Sequence, residues 1–415
     1  MHFFRLLITA LLFLSLATTR VEAQCYTDHL AERNARRFPE VAAKRALLQN
    51  AINREAEGID ARQREIVRIP VVVHVVYFGP FENISDAQIQ SQIDVLNADF
   101  RLQNSNAGSI PQAFQPFAAD VEIEFCLATL TPDGQSTNGI TRTATDWLNI
   151  GMAEAPDGSP RICYTALGGH DAWAPEHYLN IWVAGIGGGI LGYGTYPGIA
   201  PPEEQGVVVD PKYFGTIGLA AFNAPHHLGR TATHEIGHYF DLQHIWGGLE
   251  NICTDDDGIG DTPVQRGPFF GCPAYPQYSC GNNAMFMNYM DYTDDACMSF
   301  FTVGQKARIW ATLNVARPGL LDSPACGVSG TVAAAPEHPR VYPNPVQNDL
   351  WVEWDGETPL LFELQHVSGR SAGIQQTEST GPLYQLSLNQ LPAGGYFLRL
   401  WFRNAPPIQV FFIKV

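Results

Sequence analysis

Residues 234–244 read His-Glu-Ile-Gly-His-Tyr-Phe-Asp-Leu-Gln-His. His234 and His238 are four positions apart, so on a helix both imidazoles leave one face and can reach one metal ion. Glu235 stands beside the first, where a carboxylate can take a proton from a water that the metal activates. His244 adds a third nitrogen. Three protein ligands with a fourth position open is the arrangement of a catalytic zinc, whereas structural zinc sites are closed by four. Lone histidines usually sit on surfaces or in hydrogen-bonded cores, and a bare HExxH arises by chance. The third histidine at this offset makes chance the weaker account. Glu250 is the nearest acidic alternative to His244, but it follows Gly247-Gly248 with no helical pattern around it.

The stretch resembles the metzincin signature HExxHxxGxxH, with Asp241 in the Gly position. That residue ends the active-site helix and turns the chain toward the third ligand, often in a left-handed conformation. Gly adopts it without strain, and Asn and Asp are the next most tolerant. Downstream, Phe286–Tyr292 (FMNYMDY) resembles the metzincin Met-turn, about 45 residues after the third histidine. The resemblance implies that Met290 forms an apolar floor under the histidines. It also implies that the Tyr292 hydroxyl faces the metal, where it can stabilise a developing oxyanion. Taken in order, HEIGHYFDLQHIWGG, CTDDDGIGDTPVQ, GCP and MFMNYMDYTDDACMSFFTVGQKARI are similar to the pappalysin family, in its bacterial cytophagalysin-like branch, over about residues 67–320. That likeness implies an α/β metzincin-type fold, a twisted sheet plus an active-site helix. It implies a zinc-dependent endopeptidase acting on proteins or peptides, with His234, His238 and His244 on the zinc and Glu235 as general base.

Length and composition agree with a secreted chain of several parts: 415 residues, 45% apolar. Residues 1–23 read as a signal peptide, with Arg5 before the apolar run Leu6–Leu16 and Val21-Glu22-Ala23 as the cleavage site. The run is too short to span a bilayer, and Gln24 before Cys25 argues against a lipid anchor. Residues 24–66 read as a helical prosegment. They hold 8 Lys/Arg and 7 Asp/Glu, a net of +1, against 11 and 28 over residues 67–340, a net of −17. Arg62, Arg64 and Arg68 are processing sites on this reading. Two residues are rivals for keeping the enzyme latent: Cys25 through a thiolate on zinc, or Asp28 through a carboxylate. Cys25 in a plain disulfide is the structural alternative.

Within the catalytic domain, residues 67–326, Arg68–Tyr77 reads as a buried strand with His74 as a core histidine. Asp86–Gln103 reads as a helix capped by Ser85. Val121–Leu127 and Tyr178–Ile186 read as strands, and Arg230–Phe240 as the active-site helix. The run Gly187–Gly194 lacks the Lys-Ser/Thr ending of a phosphate loop; the family resemblance places it at the cleft rim as an edge strand that pairs with extended substrate. Asp255–Thr262 has hard oxygen ligands between glycine turns, without EF-hand spacing. The family pattern matches Asp257 and Asp261, which implies a structural calcium. Cys253, Cys272, Cys280 and Cys297 allow three connectivities; a secreted chain without paired CxxC favours disulfides over a zinc ribbon. The family implies Cys253 with Cys280 and Cys272 with Cys297, and Cys126, Cys163 and Cys326 have no assignment. Asp294 and Asp295 follow the Met-turn, near where metzincins wall the pocket for the residue after the scissile bond. An acid there implies a preference for Arg or Lys.

Residues 327–340 read as a linker of small residues and prolines. Residues 341–415 carry alternating short strands, a small all-β sandwich. The YPNP opening and LPAGGYFLRL resemble the sorting domain of type IX secretion, which implies the secretion machinery as partner. No basic stripe suggests nucleic acid, and no later run suggests a transmembrane segment. The rival function is a catalytically degenerate protein that binds a surface through its C-terminal sandwich, with Asp241 as the feature in its favour.

Overall fold

The first described elements are a short strand, β1 (Gln24–Cys25), and two helices, α1 (Thr27–Arg37) and α2 (Pro39–Gly58). In this computed structural model the described residues are 24–59, 66–321, 323–326, 339–342, 346–354, 359, 361–366, 370–375, 383–401 and 408–415. The signal peptide, Arg62, Arg64 and most of the 327–340 linker lie outside them. The chain forms two units, Met1–Gly327 and Val328–Val415.

In the first unit, β2 (Val67–Tyr77) is the spine of a mixed sheet, with eight consecutive residues buried, as its run of β-branched side chains dictates. Its first half pairs in parallel with β4 (Ile123–Leu127) and its second half with β5 (Ile140–Ala144). On the other side lie β6 (Leu179–Val183), β8 (Val207–Val209), β7 (Ile190–Gly194) and finally β1. Only β7 runs against its neighbour β8, and β1 lies parallel to β7 at the edge. The strand pair β3 (Ala118–Ala119) with β11 (Phe301–Thr302) and the hairpin of β9 (Tyr278–Ser279) and β10 (Asn282–Asn283) stand apart. His74 is fully buried, bonded to Thr141 Oγ1 and Asn180 Oδ1, and burial pulls its pKa down to about 3, so it is a neutral core residue.

Helix α3 (Asp86–Phe100) starts at a Ser85 cap that accepts the Gln88 N–H. It stops short of Gln103 because Leu102 turns to φ +50°. Strand β4 starts two residues later than its alternation suggests, because Glu122 sits at φ +62°. Helix α4 (Arg230–Tyr239) is buried along its whole length between α3 and the strands β7 and β8. Helix α5 (Val303–Ala316) opens with a Thr302/Gln305 capping box and packs against α2.

The second unit has a three-stranded sheet, β12 (Arg340–Tyr342), β13 (Asp349–Glu353) and β16 (Leu383–Ser387). A four-stranded sheet is ordered β15 (Ser371–Gln375), β14 (Leu361–His366), β17 (Gly394–Trp401), β18 (Ile408–Lys414). The alternating residues Leu350, Val352, Trp354, Phe362, Leu364, Leu398 and Leu400 fill its core. Strand β15 was not signalled, since SAGIQ has too few apolar residues to alternate. Among the described residues no helix is long and apolar enough to cross a membrane.

Candidate metal centre

Helix α4 delivers His234 and His238 from one face, and the turn after it returns His244 to them. The turn requires a left-handed residue, and Asp241 supplies it at φ +71°. The Nε2 atom of His238 lies 3.1 Å from that of His234 and 3.2 Å from that of His244. Each ring is fixed from behind. Nδ1 of His234 is 2.7 Å from the Tyr289 carbonyl, Nδ1 of His238 is 2.7 Å from the Leu242 carbonyl, and Nδ1 of His244 is 3.0 Å from Asp28 Oδ2. A carbonyl or carboxylate oxygen only accepts, so each Nδ1 carries the proton and each Nε2 a lone pair. Burial, then the neighbouring imidazoles, lower His234 to about 3 and His238 well below its ordinary value, which keeps both neutral. Three buried lone pairs converging at 3 Å with no proton between them repel one another unless a cation sits among them. The Cys25 sulfur joins them, all four ligand atoms lying within 4.8 Å of one another. This donor set fits zinc.

Glu235 is 1% exposed. Its Oε2 accepts from Cys25 Sγ and from Thr27 Oγ1, both at 3.2 Å. Burial pushes its pKa up to about 8 against these hydrogen bonds. Met290 is fully buried under α4, with its sulfur against Gly237, where a Cβ has no room. The Tyr292 ring lies 4.9 Å from that of His244 and 5.7 Å from that of His234. Burial, together with the negative potential of Cys25 and Glu235, raises its hydroxyl well above the ordinary tyrosine value, so it stays a proton donor.

The two rivals for latency occupy different places. Cys25 is in the cluster, whereas both Asp28 oxygens are engaged outside it, accepting from Tyr196 OH at 3.0 Å and from His244. Thr27 and Tyr196 belong to the site without any motif of their own. Thr27 Oγ1 accepts the Gly194 N–H at 2.8 Å, and Tyr196 packs edge-on against His238 at 5.3 Å; no spacing rule announces either.

A small cavity beside the cluster is lined by Leu191, His226, Thr231, Tyr292, Asp295 and Met298 among others. Asp295 contributes to it and Asp294 does not. Asp295 Oδ2 accepts the Leu228 N–H at 2.7 Å, ahead of α4, and Oδ1 is 3.7 Å from His226 Nδ1.

In the acidic loop, Asp257 is 2% exposed. Its Oδ1 accepts from Ile259 N and Thr262 Oγ1, and its Oδ2 has no partner. Asp261 stands four residues on. Its oxygens accept from Thr302 Oγ1 at 2.7 Å and Gly304 N at 2.8 Å, which fastens the loop to the start of α5. Cys253 is bonded to Cys280, Cys272 to Cys297 and Cys126 to Cys326; Cys25 and Cys163 are free.

Comparison with known proteins places this geometry. Residues 168–314 match the peptidase family described as Pregnancy-associated plasma protein-A, and residues 340–414 match the secretion system C-terminal sorting domain. An extracellular metalloprotease of Arthroderma benhamiae is 30% identical over 298 residues, 70% of this chain and 93% of its own. One from Uncinocarpus reesii is 30% identical over 267 residues, covering 63% and 81%. Among solved structures, mature mirolysin of Tannerella forsythia with a cleaved peptide is 43% identical over 65% of this chain and all of its own, with a TM-score of 0.59. A point variant of promirolysin from the same organism is 39% identical over 74% of this chain and all of its own, with a TM-score of 0.65.

Proposed function

The chain belongs to the pappalysin family of metzincin peptidases, as a secreted zinc metalloendopeptidase with a C-terminal sorting domain, and from that premise we propose the division of labour in its site. His234, His238 and His244 hold the zinc, and Glu235 is the general base. The observation that carries this is the convergence of three Nε2 lone pairs beside a buried carboxylate. Zinc in that position supplies Lewis acidity to a peptide carbonyl and to water. Glu235 then takes the proton of the attacking water and returns it to the leaving amine. The Tyr292 hydroxyl, held protonated, donates to the oxyanion as it develops. Met290 keeps the floor under α4 apolar and closed to water.

The test is mass-spectrometric mapping of cuts in a proteome-derived peptide mixture, beside a Glu235→Ala control. Cuts made by the wild type alone support the reading; their absence from processed, zinc-loaded enzyme refutes it. The same map tests the preference after the scissile bond. Asp295 and Leu191 both line the cavity, and the net charge of −17 draws basic substrates. Cuts are expected before Arg and Lys, and Asp295→Asn is expected to lower that preference about tenfold. A map indifferent to the following residue rejects this pocket assignment.

Until processing, Cys25 fills the fourth place of the cluster and holds the enzyme latent. The unpartnered Asp257 Oδ2 supports a calcium site in the acidic loop on Asp257 and Asp261, with Asp261 also clamping the loop to α5. Burial raises Asp257 to about 7. The folded, metal-free chain therefore keeps a proton that the unfolded chain releases near pH 4, and this contribution to stability is lost as pH rises through 7. Calcium offsets the buried charge above that point. Chelation is expected to lower Tm by several degrees at pH 8 and hardly at pH 5, read by scanning calorimetry. An equal loss at both values dismisses Asp257 as a ligand.

A further inference from the structure

Three arginines of α1 and α2 reach acidic side chains of the catalytic domain: Arg33 to Glu154, Arg37 to Glu204 and Arg45 to Asp241. The third is unlike the others. Asp241 is the residue that stands in the metzincin glycine position, its side chain is 0% exposed, and it lies in the turn between the ligands His238 and His244. A non-glycine residue at φ +71° carries strain of about 1–2 kcal/mol. What offsets that strain here is a built receptor for one guanidinium. Arg45 Nη2 donates to Asp241 Oδ1, Arg45 Nη1 donates to the Pro197 carbonyl at 3.1 Å, and the guanidinium carbon lies 5.1 Å from the centre of the Tyr196 ring. From behind, Arg308 Nη1 reaches Asp241 Oδ2 at 3.5 Å, which leaves Oδ1 for the incoming group. A carbonyl, a carboxylate and an aromatic face together match a planar fork and not a point charge.

We propose that Asp241, the Pro197 carbonyl and Tyr196 form a subsite for an arginine of the substrate, N-terminal to the scissile bond, which Arg45 of the prosegment occupies until processing. The proposal rests on the endopeptidase reading above. Its direction follows from β7. Gln24 lies beside Ile190 and Cys25 beside Gly192, Thr27 reaches Gly194, and Asp28 reaches Tyr196. Along this line the cavity at Leu191, the metal cluster and Tyr196–Pro197 follow one another. If the cavity takes the residue after the scissile bond, the Tyr196 end takes residues before it. The route in is the one Arg45 uses. A cavity of about 430 Å³ already opens beside it, walled on the catalytic side by Tyr196, Ile199 and Gln243, and on the other side by α1 and α2 residues that leave with the prosegment.

The experiment uses enzyme matured from the full chain and peptide substrates with Arg, citrulline or Ala placed two to five residues before the cut. At one position Arg is expected to raise kcat/KM about tenfold over Ala, with citrulline behaving as Ala. In Asp241→Asn and Asp241→Gly, both of which tolerate the left-handed turn, the Arg-to-Ala ratio falls to about one. A second readout needs no turnover: by fluorescence anisotropy, a peptide of residues 38–58 is expected to bind the matured enzyme about tenfold more tightly than its Arg45→Ala form, and equally in Asp241→Gly. Cleavage without any arginine discrimination, or discrimination that survives both variants, overturns the subsite. Absence of cleavage with discrimination retained in binding refutes the endopeptidase reading and leaves the subsite standing.

Discussion

Glu235→Ala is expected to lower kcat by about a thousandfold or more while leaving the zinc content of the purified protein unchanged. The carboxylate belongs to α4 but not to the converging nitrogens: its Oε2 faces Cys25 and Thr27, and the three imidazoles are oriented by Tyr289, Leu242 and Asp28 without its help. Removing it leaves every donor of the cluster in place. The group is also buried, and with the prosegment seated desolvation lifts its pKa to about 8, far above an exposed glutamate. Glu235→Gln keeps the side-chain volume and is expected to be nearly as inactive, because what is lost is proton transfer and not packing. Metal analysis beside single-turnover kinetics decides the matter. Zinc lost in step with activity would assign Glu235 to the ligand shell, and turnover retained in the glutamine variant would remove it from the proton path.

How much of this was legible beforehand depended on whether a residue acts through local spacing or through a distant partner. The i, i+4 histidines, the return of His244 and the left-handed turn at Asp241 are local, and sequence pattern carried them. The buried spine of β2 and the Ser85 cap of α3 were legible for the same reason. Asp295 illustrates the opposite case. Spacing could not separate it from Asp294, because the difference is which of two neighbours turns toward α4, and the Leu228 amide settles that from 67 positions away. Asp28 likewise looked like a rival ligand, since a carboxylate three residues after a cysteine carries no sign that it will be spent on Tyr196 and His244 Nδ1. Asp261 fastens its loop to the start of α5 through Thr302 and Gly304, 41 and 43 positions on, a partnership that no local spacing announces. The Cys126–Cys326 bond spans 200 residues and has no local signal at all.

The second large effect concerns Cys25. In the full-length chain its sulfur sits with the three Nε2 atoms and donates to Glu235, so one side chain reaches both the histidine cluster and the carboxylate beside it. Cys25→Ala removes both contacts. The rest of the prosegment docks through separate contacts: β1 on β7, Arg33 and Arg37 on Glu154 and Glu204, and α2 against α5. The variant is therefore expected to fold with its prosegment seated but with the centre open to water and substrate. Initial rates of the uncleaved chain on a short peptide should rise at least about tenfold over wild type, and prosegment removal should start earlier than in wild type. Asp28→Asn separates the two rivals. It keeps an oxygen for His244 Nδ1, weakens that bond by losing its charge, and leaves the sulfur in place, so it should lower zinc affinity without releasing activity. If Asp28→Asn activates the intact chain and Cys25→Ala stays latent, the carboxylate is the switch and the thiol is a bystander; gel analysis of intact chain beside the peptide assay distinguishes release of the block from premature cleavage.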